Sequence, residues 1–199
     1  MSNVSREAAA RLDRYAALIR TWNPRINLIA AATVADLEQR HIADCLQLAT
    51  VAQPTGGLWA DLGSGGGLPG LVVAIVCMDR PVRFLLVESD KRKSAFLRTV
   101  IRELGLTNAS VTTARIEAID PLNAAYISAR ALAPLPRLMP YLDRHLAEDG
   151  QAWLMKGRQW QAELSEARKA WKFHHESFVS STQDGAAILK IGGVQDVGA

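Results

Sequence analysis

The residues best placed to do chemistry stand together in Asp61-Leu62-Gly63-Ser64-Gly65-Gly66-Gly67-Leu68-Pro69-Gly70. Four of the five positions from 63 to 67 are glycine, with the apolar runs Leu58–Ala60 before the segment and Leu71–Met78 after it. This pattern predicts a strand, a tight turn and a helix. Glycines without side chains let a ligand approach the backbone. The following helix aims its free N–H groups at that ligand. A second apolar run, Phe84–Val87, ends in the acid Glu88, 21 residues after Gly67. That spacing suits a carboxylate accepting hydrogen bonds from a ribose. The chemistry implied is nucleoside binding at the mouth of a parallel sheet.

Two ligands fit the glycines. Gly65–Gly70 satisfies the dinucleotide pattern G-x-G-x-x-G, which would suit a nicotinamide oxidoreductase. Gly63–Gly67 satisfies the tighter G-x-G-x-G, with Asp61 two residues ahead, a pattern used by S-adenosylmethionine (SAM) methyltransferases. Charge separates them. A carboxylate repels a pyrophosphate but attracts the ammonium and sulfonium of SAM. The balance favours SAM, with Asp61, Gly63, Gly65, Gly67 and Leu68 forming the loop contact and Glu88 the ribose contact.

Alternating elements must position this loop. The pattern predicts strands at 58–62, 84–88, 111–114, 126–131 and 151–156 and helices at 69–78, 91–104, 135–146 and 159–171. Two closing strands, 173–179 and 186–191, have a turn at 183–185. Such alternation makes a mostly parallel α/β sheet of Rossmann-like type. The last two strands lack a helix between them and should form an antiparallel hairpin at or near an edge. Ahead of the core, Ala8, Leu12, Tyr15, Ile19 and Trp22 recur at helical spacing, and Asn23-Pro24 should stop that helix. Thr33 should cap a second helix from Val34 to about Val51. The 199 residues therefore read as one domain, a helical extension over 1–55 and a ligand-binding α/β core over 56–199.

Composition narrows the class. Hydrophobic residues make up 49% and charged residues 22%, as in globular proteins. No apolar run is long enough for a bilayer, and charges scattered through residues 1–14 argue against a signal peptide. Cys45 and Cys77 make no disulfide framework, so a cytoplasmic protein with buried, inert thiols is expected. A net charge of +3 permits a polyanionic partner.

Several separated segments carry a resemblance. Trp22-Asn23-Pro24-Arg25-Ile26-Asn27-Leu28, Arg40-His41-Ile42-Ala43-Asp44, the loop from Asp61 to Gly70, Ile127-Ser128-Ala129-Arg130-Ala131, and Lys156-Gly157 occur in the order seen in the RsmG family. That family is also called glucose-inhibited division protein B. The chain resembles it from about residue 10 to residue 192. The resemblance implies a class I SAM-dependent methyltransferase that methylates N7 of a guanine in 16S ribosomal RNA. By position it places SAM contacts on Gly63, Leu68, Ile116, Glu117 and Arg130, with Glu88 as the ribose acid.

Guanine N7 carries a free lone pair, so the reaction needs alignment and no base. Arg130, His41 and Lys156 are the expected positioning residues. Arg130 and Lys156 fall at strand C-termini, where open sheets bind ligands. Arg25, Arg40, Lys156 and Arg158 are the expected RNA contacts, and Lys91, Arg92, Lys93, Arg98 and Arg102 form a basic helix face that could meet phosphates. On its residues alone His41 reads as a structural histidine hydrogen-bonded in a helix packing site; the resemblance makes it a positioning residue. No metal and no obligate protein partner is expected. The partner is 16S rRNA or the small ribosomal subunit, and the rivals are a noncatalytic SAM-binding ribosome factor and a small-molecule methyltransferase.

Overall fold

A computed structural model describes residues 4–198. Seven strands, β1 (Gly57–Leu62), β2 (Val82–Glu88), β3 (Ala109–Thr113), β4 (Ala124–Arg130), β5 (Leu146–Lys156), β6 (Trp171–Val179) and β7 (Ala187–Asp196), form one sheet in the order 3-2-1-4-5-7-6. Strands β1 to β5 are parallel, and β7 runs antiparallel between β5 and the edge strand β6. The expected hairpin is thus present, with its second strand inserted inside the sheet. Helices α1 (Arg6–Ile26), α2 (Ala43–Ala52), α3 (Gly70–Val76), α4 (Lys91–Leu104), α5 (Leu135–His145) and α6 (Trp160–Ala167) cover the two faces.

Strand alternation divides the core between those faces. Trp59, Phe84 and Leu86 pack with α1 to α4 on one side, and Ala60, Leu62, Val87 and Ile127 pack with α5 and α6 on the other. Trp59 stacks on Tyr126 at 5.3 Å between ring centroids, which welds β1 to β4. Trp22 meets Phe96 at 5.6 Å, so α1 is packed on α4. Burying side chains of this size contributes roughly 1.5–3 kcal/mol each.

The N-terminal segment differs from expectation in two places. Helix α1 continues through Pro24 to Ile26. One missing N–H is tolerable near a helix end, because Asn23 takes over the turn. Its buried Oδ1 accepts from the N–H groups of Leu28 and Ile29 at 2.7 and 2.9 Å, while Asn27 adopts a left-handed φ of 48°. The second helix is broken. A 3₁₀ turn (Ala31–Thr33) leads to a π-helical turn (Glu38–Ile42) before α2. Thr33 does not cap; its hydroxyl donates to the Ala30 carbonyl at 2.9 Å.

Boundaries shift elsewhere too. Strand β5 begins at Leu146, directly after α5, because Leu146 pairs with Ala124 before the register slips to Tyr126–Gln151. Gly150 permits the slip, since a Cβ there would lie 2.7 Å from the Ala124 carbonyl. Helix α6 ends at Ala167, and β6 starts at Trp171. No helix among the described residues is long and apolar enough to cross a membrane.

Candidate functional site

The parallel strands end together at Leu62, Glu88, Thr113, Arg130 and Lys156. Strand order reverses between β1 and β4, which opens a crevice at that edge. A cavity of about 700 Å³ lies there.

The glycine turn forms its floor. Gly63 and Ser64 donate their N–H groups to the Val87 carbonyl at 2.9 and 3.0 Å, tying the turn to β2. Gly63, Gly65 and Gly67 have φ of +67°, +57° and +90°, which L side chains resist. The turn is also held from above: the buried Tyr15 hydroxyl of α1 donates to the Gly66 carbonyl at 2.6 Å. Tyr15 was legible only as a core residue on a helical face; nothing local in the sequence links it to position 66.

Glu88 lies at the rim of the turn. Its carboxylate accepts from the N–H of Gly65 at 2.8 Å and of Asp90 at 2.8 Å, one on each oxygen. It thereby joins the glycine turn to α4, where Asp90 caps the helix. Each oxygen keeps a lone pair for a ligand hydroxyl.

A short 3₁₀ turn (Ile116–Ala118) supplies the opposite wall. His145, buried at the end of α5, donates from Nε2 to the Ile116 carbonyl at 3.1 Å and fixes this wall. The Tyr141 hydroxyl donates to Glu117, which lowers the Glu117 carboxyl below its ordinary range. Ile116, Glu117 and Tyr141 all line the cavity.

Arg130 closes the site. Its Nη2 donates to Nδ1 of His41 at 2.7 Å, its Nη1 lies 3.7 Å from Cys45 Sγ, and Asp44 Oδ2 stands 3.9 Å away. His41, Asp44 and Cys45 have i, i+3, i+4 spacing, so one helical face presents all three. Arginine only donates, so Nδ1 of His41 must accept. Its Nε2 therefore carries the proton and donates to Thr33 Oγ1 at 2.8 Å, while the Thr33 hydroxyl donates in turn to the Ala30 carbonyl at 2.9 Å. Burial, then the Arg130 charge, holds the His41 pKa down to about 4. His41 is thus a neutral acceptor that aims Arg130. Burial pushes the Cys45 thiol up to about 12, and Cys77 is also buried.

After Arg130 the chain turns sharply. Ala131 takes a left-handed φ of 53°, and Leu132 folds back over Gly63. A non-glycine residue in this conformation costs about 1 kcal/mol and marks a constrained site.

The cavity lining includes Gly63, Gly65, Leu68 and Glu88, with Ile116, Glu117, His41 and Arg130 opposite. Two expected contacts face elsewhere. Asp61 shares the face of Trp59 and is buried against Ser128, which donates to its Oδ1 at 2.6 Å. Its Oδ2 stands 2.7 Å from where a Gly70 Cβ would be and has no hydrogen-bond partner. Burial lifts this carboxyl to about 6. Gly67 lies under Leu71 and Tyr15. Lys156 is also outside this cavity: it pairs with Glu163 at 2.6 Å and donates to the Ala133 carbonyl at 2.8 Å.

Arg25, Arg40 and Arg158 are exposed. Arg158 donates from Nε to the Asp184 carbonyl at 3.2 Å and pairs with the exposed Asp184 carboxylate at 3.7 Å, an ion pair worth ~0–1 kcal/mol. On α4, Arg98 bonds to Val111 and Thr113, and Lys93 is the member that reaches the cavity. Arg115 and Arg137 line the same rim; the sequence offered no periodicity to pick them out.

A sheet of order 3-2-1-4-5-7-6, with a glycine turn after β1 and an acid ending β2, is the class I SAM-dependent methyltransferase architecture. Solved structures share this fold: a mutant of MtNAS in complex with S-adenosylmethionine (TM-score 0.62, 17% identity, 93% of this chain and 75% of that one) and a TehB-like SAM-dependent methyltransferase from Corynebacterium glutamicum (TM-score 0.57, 15% identity, 92% and 98%). Over residues 8–189 the chain matches the family described as rRNA small subunit methyltransferase G, and it belongs to that family. It is 58% identical over 193 residues to ribosomal RNA small subunit methyltransferase G of Paracoccus denitrificans, covering 97% of this chain and 98% of that one.

Proposed function

We propose that this chain transfers a methyl group from SAM to N7 of a guanine in 16S rRNA, acting in the cytoplasm on the small ribosomal subunit or its RNA. The helical extension and the α/β core act in this reading as one catalytic domain. The observation that carries the site assignment is the convergence of Gly65, Glu88, Ile116 and Arg130 on one cavity at the sheet's switch point.

The residues fit SAM. A Cβ on Gly65 would meet only the Gly63 carbonyl, at 3.8 Å, so this position leaves bare backbone toward the cavity. Glu88 would accept from the ribose hydroxyls with its remaining lone pairs. Ile116 would pack on the adenine and Glu117 would border it. When bound, SAM would supply an electrophilic methyl carbon to the N7 lone pair, with the C–S electron pair left on sulfur.

No proton moves in that step, and the site agrees. His41, held neutral between Arg130 and Thr33, has no free lone pair with which to act as a base. Arg130 orients the reactants, and the wall from Ala131 to Ala133 keeps water from the reacting atoms. Exposed Arg25, Arg40 and Arg158, with Lys93 and Arg137 at the rim, would hold RNA phosphates and so supply affinity.

The test is transfer of labelled methyl from SAM to small subunits from a strain lacking the gene, followed by nucleoside mass analysis. We expect 7-methylguanosine that is absent without enzyme. SAM binding with no transfer to subunits or free 16S rRNA would point to a noncatalytic ribosome factor.

A further inference from the structure

A second cavity, of about 520 Å³, lies on the other side of Arg130. Both cavities are lined by Arg130, Ala131, Leu132 and Ala133, so the two adjoin along this segment. The second has the size of a small-ligand pocket. Its floor is apolar, with Met155 and Ile188, and its charged and polar groups are Asp44, Glu163, Arg130, Lys156, Ser180 and Gln183. Both cations are already engaged, Arg130 with His41 and Asp44 and Lys156 with Glu163, so the lining offers a phosphate no free positive charge. A flat base that offers N–H donors is the better match.

Resting on the function proposed above, we infer that this second cavity receives the target guanine and that Glu163 reads its Watson–Crick edge. Guanine presents N1–H and the 2-amino group on that edge, a donor pair that adenine lacks. Glu163 Oε2 is already used, accepting from Lys156 Nζ at 2.6 Å and from the Leu135 N–H at 2.7 Å. Its Oε1 has no protein partner among the described residues. The Lys156 side chain is 7% exposed, so it cannot serve the RNA backbone; it clamps Glu163 and the Ala133 carbonyl instead. Asp44 is committed as well: Ser180 and Thr182 donate to its Oδ1, and Oδ2 faces Arg130. That leaves Glu163 as the carboxylate with a free oxygen. When N7 is alkylated the purine becomes cationic, and its N1–H becomes a stronger donor. The bond to Glu163 then strengthens in the transition state, which accelerates the reaction as well as selecting the base.

Two variants test this in the full-length protein. Glu163→Gln removes the charge and offers a donor where an acceptor is needed. Gly157→Leu fills the cavity from its rim, where a Cβ meets no atom within 4 Å, so it introduces no clash at the attachment point. SAM affinity is measured by calorimetry, and kcat and KM for methyl transfer with small subunits lacking the modification. Subunits carrying inosine at the target supply the probe for the 2-amino group. We expect SAM Kd within twofold of wild type in both variants and kcat/KM at least tenfold lower. Wild type should lose at least tenfold on inosine, and Glu163→Gln should lose no more than twofold further. An equal inosine penalty in wild type and Glu163→Gln would overturn the role of Glu163. Unimpaired transfer by Gly157→Leu would overturn the pocket. Wild-type protein that transfers nothing to guanosine subunits would overturn the function itself, and the base pocket with it.

Discussion

The Arg130 guanidinium donates to Nδ1 of His41 at 2.7 Å, and this one bond fixes the protonation state of the histidine. An imidazolium would set two donors against each other, so His41 stays neutral and its tautomer follows. Replacing His41 with Ala should leave the fold intact but release Arg130 to the pull of Asp44. A displacement of about 1 Å at a reacting centre can cost up to ~100-fold. We expect kcat to fall at least tenfold, with kcat flat between pH 5.5 and 8 in wild type. A wild-type profile with a midpoint near 6.5 would contradict the neutral assignment.

Removing the Tyr15 hydroxyl tests the brace on the glycine turn. Tyr15→Phe leaves the Gly66 carbonyl buried without its donor, a loss of about 1–3 kcal/mol. Urea unfolding should show the destabilisation, and calorimetry a weaker SAM affinity because the turn is less well held. Wild-type SAM affinity would show that the turn holds itself.

The glycines are not equivalent. A Cβ at Gly63 would strike Leu132 Cδ1 at 2.6 Å, so Gly63→Val should lose SAM binding through displacement of the cavity wall. Gly65→Ala meets no neighbour closer than 3.8 Å and should fold, with the left-handed strain costing about 1–2 kcal/mol. Its methyl group occupies ligand space, so SAM Kd should rise at least tenfold. Equal SAM affinity in Gly65→Ala and wild type would place the ligand elsewhere.

Asp61 and His41 should act in opposite directions on stability in acid. The folded pKa of His41 is depressed from 6.5 to about 4, so the unfolded chain binds the extra proton and stability falls as pH drops through that window. Asp61 is raised from 3.8 to about 6, so the folded chain binds the extra proton and stability grows as pH drops from 6 to 3.8. Asp61→Asn removes the second effect. Its melting temperature should therefore decline more steeply than wild type between pH 6 and 4.5. Parallel curves would show that Asp61 is an ordinary carboxylate.

Much of this was legible in one dimension. The glycine spacing, the acid ending β2 and the alternation of apolar runs are local signals, and each element they predict is present. Helix ends were less legible. Asn23-Pro24 reads as a stop, yet the Asn23 side chain reaches forward to Leu28 and Ile29 and moves the end to Asn27. The uninterrupted pattern from Val34 to Val51 gave no sign of a π-helical turn, because widening a turn depends on what packs against it.

The chain's residue types and spacing thus determined the α/β class, the glycine turn and the identity of its polar candidates, since backbone preference and strand or helix period are local properties. Tertiary structure alone decided what each candidate does. Asp61 turns from the cavity because it shares a face with Trp59, and Lys156 is taken by Glu163, seven residues along the chain. Arg130 is aimed by a histidine 89 residues away. Hydrogen-bond partners chosen across such separations depend on how the sheet and its helices close on one another, and that closure is a cooperative property of the whole core.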